Sequence, residues 1–174
     1  MSSSNLFRWS GLAVILGGVL LPASWILRFV VAVQRPVSGT VEFVATILLV
    51  FGFIGVYGFQ HEETGVIGFL GFVLVTISNC AALGECWLQD GELTGAAVVL
   101  GPLVGITMLL GFISLAIASW KANKLPRWTA VLWVIGGAFI VPGFVVQEML
   151  VVIGGVIQGA GIVGAGVKLW TSRS

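Results

Sequence analysis

Six long apolar runs, at residues 9–33, 41–59, 65–83, 95–119, 128–146 and 149–169, follow one another along the chain with only short polar breaks between them. A helix needs about 20 apolar residues to cross the hydrocarbon core of a bilayer, and each run is of that order. None shows the strict alternation of a β-barrel strand, so the pattern predicts helices. The expected fold is all-α: a single domain over residues 1–174, built as a membrane bundle of six transmembrane helices.

The breaks carry turn chemistry. Pro36 and Gly39 fall between the first two runs, Gln60-His61-Glu62-Glu63-Thr64 between the second and third, and residues 85–94 between the third and fourth. Such residues punctuate regular structure. Residues 121–127 form the clearest linker, and Pro126 suits the first turn of the fifth helix, where its missing N–H leaves nothing unpaired. Gln147-Glu148 is the shortest break and predicts a tight hairpin of the last two helices.

Composition sharpens this picture by exclusion. Hydrophobic residues make up 58% of the chain and charged residues 9%, with a mean hydropathy of +1.12, whereas soluble domains carry roughly 25% charged residues. The lipid bilayer is therefore the expected partner. The net charge is +1, which offers no basic stripe for nucleic acid. The first run is longer than the apolar core of a signal peptide, so it is read as a retained helix.

Basic residues then orient the bundle. With six crossings, the two termini and the second and fourth loops share one side, which holds Arg8, Lys121, Lys124, Arg127, Lys168 and Arg173; the other side holds only Arg28 and Arg35. Lys and Arg accumulate on the cytoplasmic side. An N-in/C-in topology is expected, with the acidic third loop (Glu85, Asp90, Glu92) outside, in a bacterial inner membrane. Trp9, Trp120, Trp128 and Trp170 fall at the inner helix ends, where indoles favour the headgroup level, and Trp87 falls at the outer face.

The first and fifth runs resemble each other. Arg8-Trp9-Ser10 matches Arg127-Trp128-Thr129, Gly17-Gly18 matches Gly136-Gly137, and Pro22 and Pro142 follow one residue out of register. Both runs cross in the same direction, so this would be a parallel repeat of helices 1–2 and 5–6. Arg-Trp boundaries and mid-helix glycines also arise in unrelated membrane helices. The 25 glycines fit helix association by close backbone approach. Gly101 and Gly105, and Gly155 and Gly159, have the four-residue spacing that serves packing within the chain, with a second copy or with a membrane partner. Pro22, Pro102 and Pro142 each remove a helix hydrogen bond and predict kinks.

Ionisable side chains within a membrane are costly and therefore informative. Arg28 in the first helix, Glu42 opening the second, Glu85 ending the third and Glu148 opening the sixth all fall toward the outer side. Arg28 paired with Glu42 or Glu148, with Asn79, Gln147 and Gln158 as neutral neighbours, would form a small outward-facing site for an ion or polar solute. A purely structural alternative has Arg28 snorkelling to the interface and each Glu stabilising a helix N-terminus.

Other chemistry is sparse. Cys80 and Cys86 are wrongly spaced for a zinc site, and six residues of helix span about 9 Å, beyond disulfide reach unless the helix ends between them. His61 falls in a polar loop beside Glu62 and Glu63. The sequence contains no HExxH, GxSxG, P-loop or dinucleotide fingerprint, so no enzyme, no metal and no cofactor is expected. The segments Phe7-Arg8-Trp9-Ser10-Gly11, Gly55-Val56-Tyr57-Gly58-Phe59-Gln60 and Leu125-Pro126-Arg127-Trp128 resemble those of a loose group of small uncharacterised bacterial polytopic membrane proteins. That resemblance implies a helical inner-membrane protein and carries no catalytic residue. Three functions remain open: a non-enzymatic membrane accessory, sensor or assembly component; a small transporter or channel for an ion or polar solute; and a membrane redox or quinone-linked protein using the two cysteines.

Overall fold

The computed structural model describes residues 3–86 and 96–172. These residues form five α-helices: α1 (Ser3–Phe29), α2 (Arg35–Glu85), α3 (Ala96–Ala122), α4 (Arg127–Val146) and α5 (Glu148–Thr171). All five are long and apolar enough to cross a membrane. The Glu85 side chain, Trp87, Asp90, Glu92 and Arg173 lie outside the described residues.

Five helical elements are found where six helices were expected, because residues 60–64 do not form a loop. They stay helical, and the break is confined to Gly65, at φ 55° and ψ −151°, a conformation that is essentially restricted to glycine. The polar side chains support the last turn locally: the Thr64 hydroxyl donates to the His61 carbonyl at 3.4 Å, and His61 Nδ1 lies 2.8 Å from the Gly58 carbonyl. Past Gly65 the chain doubles back. Tyr57 stacks on Phe72 with ring centroids 4.9 Å apart, where an unbroken helix would separate them by about 22 Å. At the other end of the same helix Gly39 stands against the Cys86 carbonyl. The arms 35–64 and 66–85 therefore lie antiparallel.

α1 stops at Phe29, short of the apolar run's end at Val33, and Ala32 takes a left-handed conformation (φ 55°) in the connection. α2 consequently starts at Arg35, with Pro36 in its first turn. Glu42 is thus about two turns inside α2 and does not open it, which removes the helix-dipole account of this residue. Gln147, in extended conformation, joins α4 to α5 as the tight hairpin expected from the sequence.

The elements close into a ring in which α1 packs on α2 and α5, α4 on α5 and α3, and α3 back on α2. Glycine sets the closest approaches. A Cβ at Gly166 would stand 2.8 Å from the Gly11 carbonyl oxygen, and one at Gly136 would stand 2.7 Å from both the Gly154 carbonyl and the Gln158 amide. Gly17, which the sequence aligns with Gly136, likewise meets its hairpin partner, 3.0 Å from the Ala45 carbonyl. Gly155 and Gly159 are used within the chain, against Trp25 and Pro22, whereas a Cβ at Gly105 would have nothing within 4 Å.

One end of the bundle gathers Arg8, Lys121, Lys124, Arg127 and Lys168. Here Arg8 lies over Trp170 at 5.1 Å and Arg127 over Trp120 at 5.4 Å, and Trp9 and Trp128 are also exposed. The four tryptophans expected at shared helix ends, Trp9, Trp120, Trp128 and Trp170, thus gather at this basic end, each partly exposed. Arg28 and Arg35 sit at the opposite end.

The glycine contacts predict opposite outcomes at two positions. Gly166→Val should destabilise the bundle by about 1–3 kcal/mol through overpacking against backbone. Gly105→Ala should be neutral or stabilising by up to about 1 kcal/mol, since it gains helix propensity without a clash. Reversible unfolding in mixed micelles measures both, and equal losses at the two sites would exclude the packing account.

Candidate functional site

A cavity of about 60 Å³ lies inside the ring, on the half away from the basic end, and all five helices contribute to its wall. Its polar groups are Glu42 and Thr46 on the first arm of α2, Ser78 and Asn79 on the second arm, and Gln158 on α5; Leu21, Leu49, Phe53, Met108, Phe112 and Ile162 fill much of the rest. Glycine makes this possible locally. Gly136 and Gly137 leave the space beside α5 in which Gln158 is seated, 2% exposed.

The hydrogen bonding of the wall decides what it can hold. Trp25 Nε1 donates to Glu42 Oε1 at 3.3 Å. The Thr46 hydroxyl donates to the Glu42 carbonyl at 2.8 Å, and the Ser78 hydroxyl crosses to the Val104 carbonyl at 3.1 Å. Asn79 Nδ2 donates to the Val75 carbonyl at 2.7 Å and Gln158 Nε2 to the Trp133 carbonyl at 3.5 Å. The hydroxyl and indole protons are therefore committed, and each amide retains one N–H. What the wall offers is mainly acceptors: the second Glu42 carboxyl oxygen, two amide oxygens and the hydroxyl lone pairs. Such a wall suits a small cation or a solute rich in N–H or O–H donors.

Of the residues singled out from sequence, Glu42, Asn79 and Gln158 come together on this wall. Arg28 does not line it. It sits in the last turn of α1, with its guanidinium 4.9 Å from the Phe29 ring centroid, and it acts on Glu42 by its charge, as does Arg35. Glu148 and Gln147 are exposed at the start of α5 and are not part of the wall. Cys80 is exposed and Cys86 buried, the two are not joined by a disulfide, and α2 continues through residue 85, which keeps them apart. Trp25, Thr46 and Ser78 are wall residues that the sequence reading did not select. A helical stripe would have found Thr46, which follows Glu42 by four residues on the same face.

Aromatic rings close the cavity toward the basic end. Phe53 and Phe112, both on the wall, have centroids 5.6 Å apart, and each packs on the fully buried Trp133, at 6.4 and 5.9 Å. Elsewhere in the interior the Ser10 and Ser119 hydroxyls, both ends of the Gln60 amide and Trp133 Nε1 are buried without a hydrogen-bond partner in the protein. Groups of this kind are ordinarily satisfied by buried water.

At the basic end a clamp ties the α3–α4 linker to α2. Lys124 Nζ lies 2.7 Å from Glu63 Oε1 and 5.8 Å from the Phe59 ring centroid. Glu63 falls between the second and third apolar runs, and the hydrogen bond from Lys124 holds its carboxyl below the ordinary value of 4.5.

No family model matches the chain, and no curated protein or solved structure matches it.

A lowered carboxyl pKa stabilises the fold above the unfolded-state value, and that contribution is lost as pH falls through the folded-state value. Wild type and Lys124→Met should accordingly differ slightly in thermal stability near neutral pH and converge as pH falls below the ordinary carboxyl value and through the lowered folded-state value. A difference that persists in acid would show that Lys124 acts through packing on Phe59 and not through Glu63.

Proposed function

We propose that this chain is a multi-pass protein of a bacterial inner membrane that binds a small cationic or donor-rich solute in the Glu42 cavity and carries it toward the cytoplasm. The cavity carries the reading. It is bounded by every helix, its polar atoms are mostly acceptors, and among the described residues Glu42 is the one ionisable group on its wall. A carboxyl inside a membrane bundle is expensive and is retained where it meets a cation or a polar path. An accessory or assembly role needs no internal polar chamber, so the cavity favours transport over it.

The topology in this proposal has six crossings, because the two antiparallel arms of α2 each traverse the bilayer. Both termini are cytoplasmic, in keeping with the Lys and Arg gathered at the basic end and its Trp belt. The cavity then faces the exterior half of the membrane, and the Phe53–Phe112–Trp133 cluster bars the way inward. Movement of those rings is the step that would let solute pass. Lys124 and Glu63 hold the cytoplasmic side of the same bundle.

The topology is checked by single cysteines in a variant lacking Cys80 and Cys86. A cysteine at Glu62 should react with impermeant maleimide only after the cytoplasmic side is opened, and one at Gln34 should react in intact cells. The reverse pattern would overturn the orientation, and labelling of both from one side would overturn the separate crossing of the two arms.

Function is checked in proteoliposomes with radiolabelled methylammonium. Wild type should take it up, and Glu42→Gln should lower uptake about tenfold or more, the loss expected for a hydrogen bond to a charged group. Asn79→Ala and Gln158→Ala should each reduce it by a smaller factor. Uptake that is absent, or indifferent to Glu42, would remove the transport reading.

A further inference from the structure

On the outer surface between α3 and α4, in the same half of the bundle as the cavity, lies a groove of about 420 Å³. Among the described residues its wall carries only apolar side chains and backbone. Gly105 contributes to its depth, since it has no Cβ and nothing stands within 4 Å of where one would be. Three of its residues, Val104, Met108 and Phe144, also line the Glu42 cavity. Groove and cavity thus share a wall. Phe144 is 56% exposed and meets Trp25 edge-on at 6.4 Å, and Trp25 is the indole that donates to Glu42.

This arrangement sets an apolar channel, open to hydrocarbon, beside a chamber lined with acceptors. A free solute has no use for the first, and an ordinary lipid tail has no use for the second. A molecule with one alkyl chain and a donor-bearing cationic head uses both: the chain stays in surroundings as apolar as the bilayer, and the head meets a carboxyl that hydrogen-bonds it with charge assistance. The concave, mostly apolar wall with a few convergent polar groups is the usual form of a small-molecule site.

We propose that the solute of the Glu42 cavity is a single-chain alkylamine, entering sideways from the leaflet opposite the basic end, with its chain in the α3–α4 groove and its ammonium head at Glu42. This deepens the reading of the cavity as a cation site and rests on it. Phe144 is the door between the two compartments, and its contact with Trp25 links an open groove to a repositioned Glu42 partner.

The test uses the full chain in phosphatidylcholine nanodiscs. The probe is a long-chain alkylamine with a diazirine near its chain end, the control is a sulfonate of the same chain, and ethylamine binding is measured separately by equilibrium dialysis. Crosslinks from the amine probe should concentrate at Gly105, Val141 and Val145, and should fall about tenfold with the sulfonate head or in Glu42→Gln. Gly105→Trp should abolish those crosslinks while leaving ethylamine binding intact. If ethylamine binds through Glu42 but the probe labels all lipid-facing helices alike, lateral entry is overturned and the cavity reading stands. If ethylamine does not bind, both fall. Crosslinks between two copies at Gly105 that exclude the probe would assign this face to self-association and overturn the proposal.

Discussion

At the crossing of α1 and α5 a Cβ on Gly166 would stand 2.8 Å from the Gly11 carbonyl, and the rest of the bundle depends on approaches of this kind. Lipid offers no hydrophobic reward for bringing helices together, so cohesion comes from dispersion between surfaces that fit closely. Glycine allows that fit by letting one backbone enter the groove of the next. The same device is used between α4 and α5 at Gly136 and between α2 and α3 at Gly71, where a Cβ would lie 2.6 Å from the Leu115 amide. Because the helices are pinned at these points, the space they leave is also fixed. Gln158 occupies the room beside Gly136, and the Trp25 indole lies on Gly155. The polar chamber is therefore a by-product of where glycine permits contact and where larger side chains prevent it.

Much of this was legible in the chain. The apolar runs located the helices that are long and apolar enough to cross a membrane, and the basic residues and tryptophans marked one end of the bundle. Glu42, Asn79 and Gln158 were candidates for a polar site from the sequence, with Glu42 placed at the start of its helix and a structural role as the alternative. Two features were misread for identifiable reasons. The stretch 60–64 looks like a loop because it is polar, yet Gln, His and Glu are all acceptable in a helix, and Gly65 alone supplies the reversal. Glu42 looked like a helix opener because the apolar run begins at Val41, whereas Pro36 had already started the helix a turn and a half earlier.

That second error hid the clearest pattern in the sequence. Once α2 begins at Arg35, residues 42, 46, 49, 53, 56 and 60 recur at helical spacing on one face, and they are Glu42, Thr46, Leu49, Phe53, Val56 and Gln60. The stripe runs from polar through apolar and aromatic to polar again. It describes the interior from the cavity, past its aromatic floor, to the buried amide near the basic end. Glu148 shares the residue type of Glu42 but opens its helix and is exposed, so it belongs to a different environment. Periodicity separates the two glutamates where composition does not. The contribution of Trp25 could not be read this way, since its partner comes from another helix.

Trp25 joins three parts of the molecule at the cavity wall. Its six-membered ring fills the space over Gly155 and so supports the α1–α5 contact, its N–H holds Glu42 at 3.3 Å, and its edge meets Phe144 at the boundary with the membrane groove. In the lateral-entry proposal, a displacement of Phe144 toward lipid removes one contact of the indole while its contact with Gly155 remains. Opening of the groove is thereby coupled to the hydrogen bond that Trp25 gives Glu42, and through it to the charge that receives the ligand.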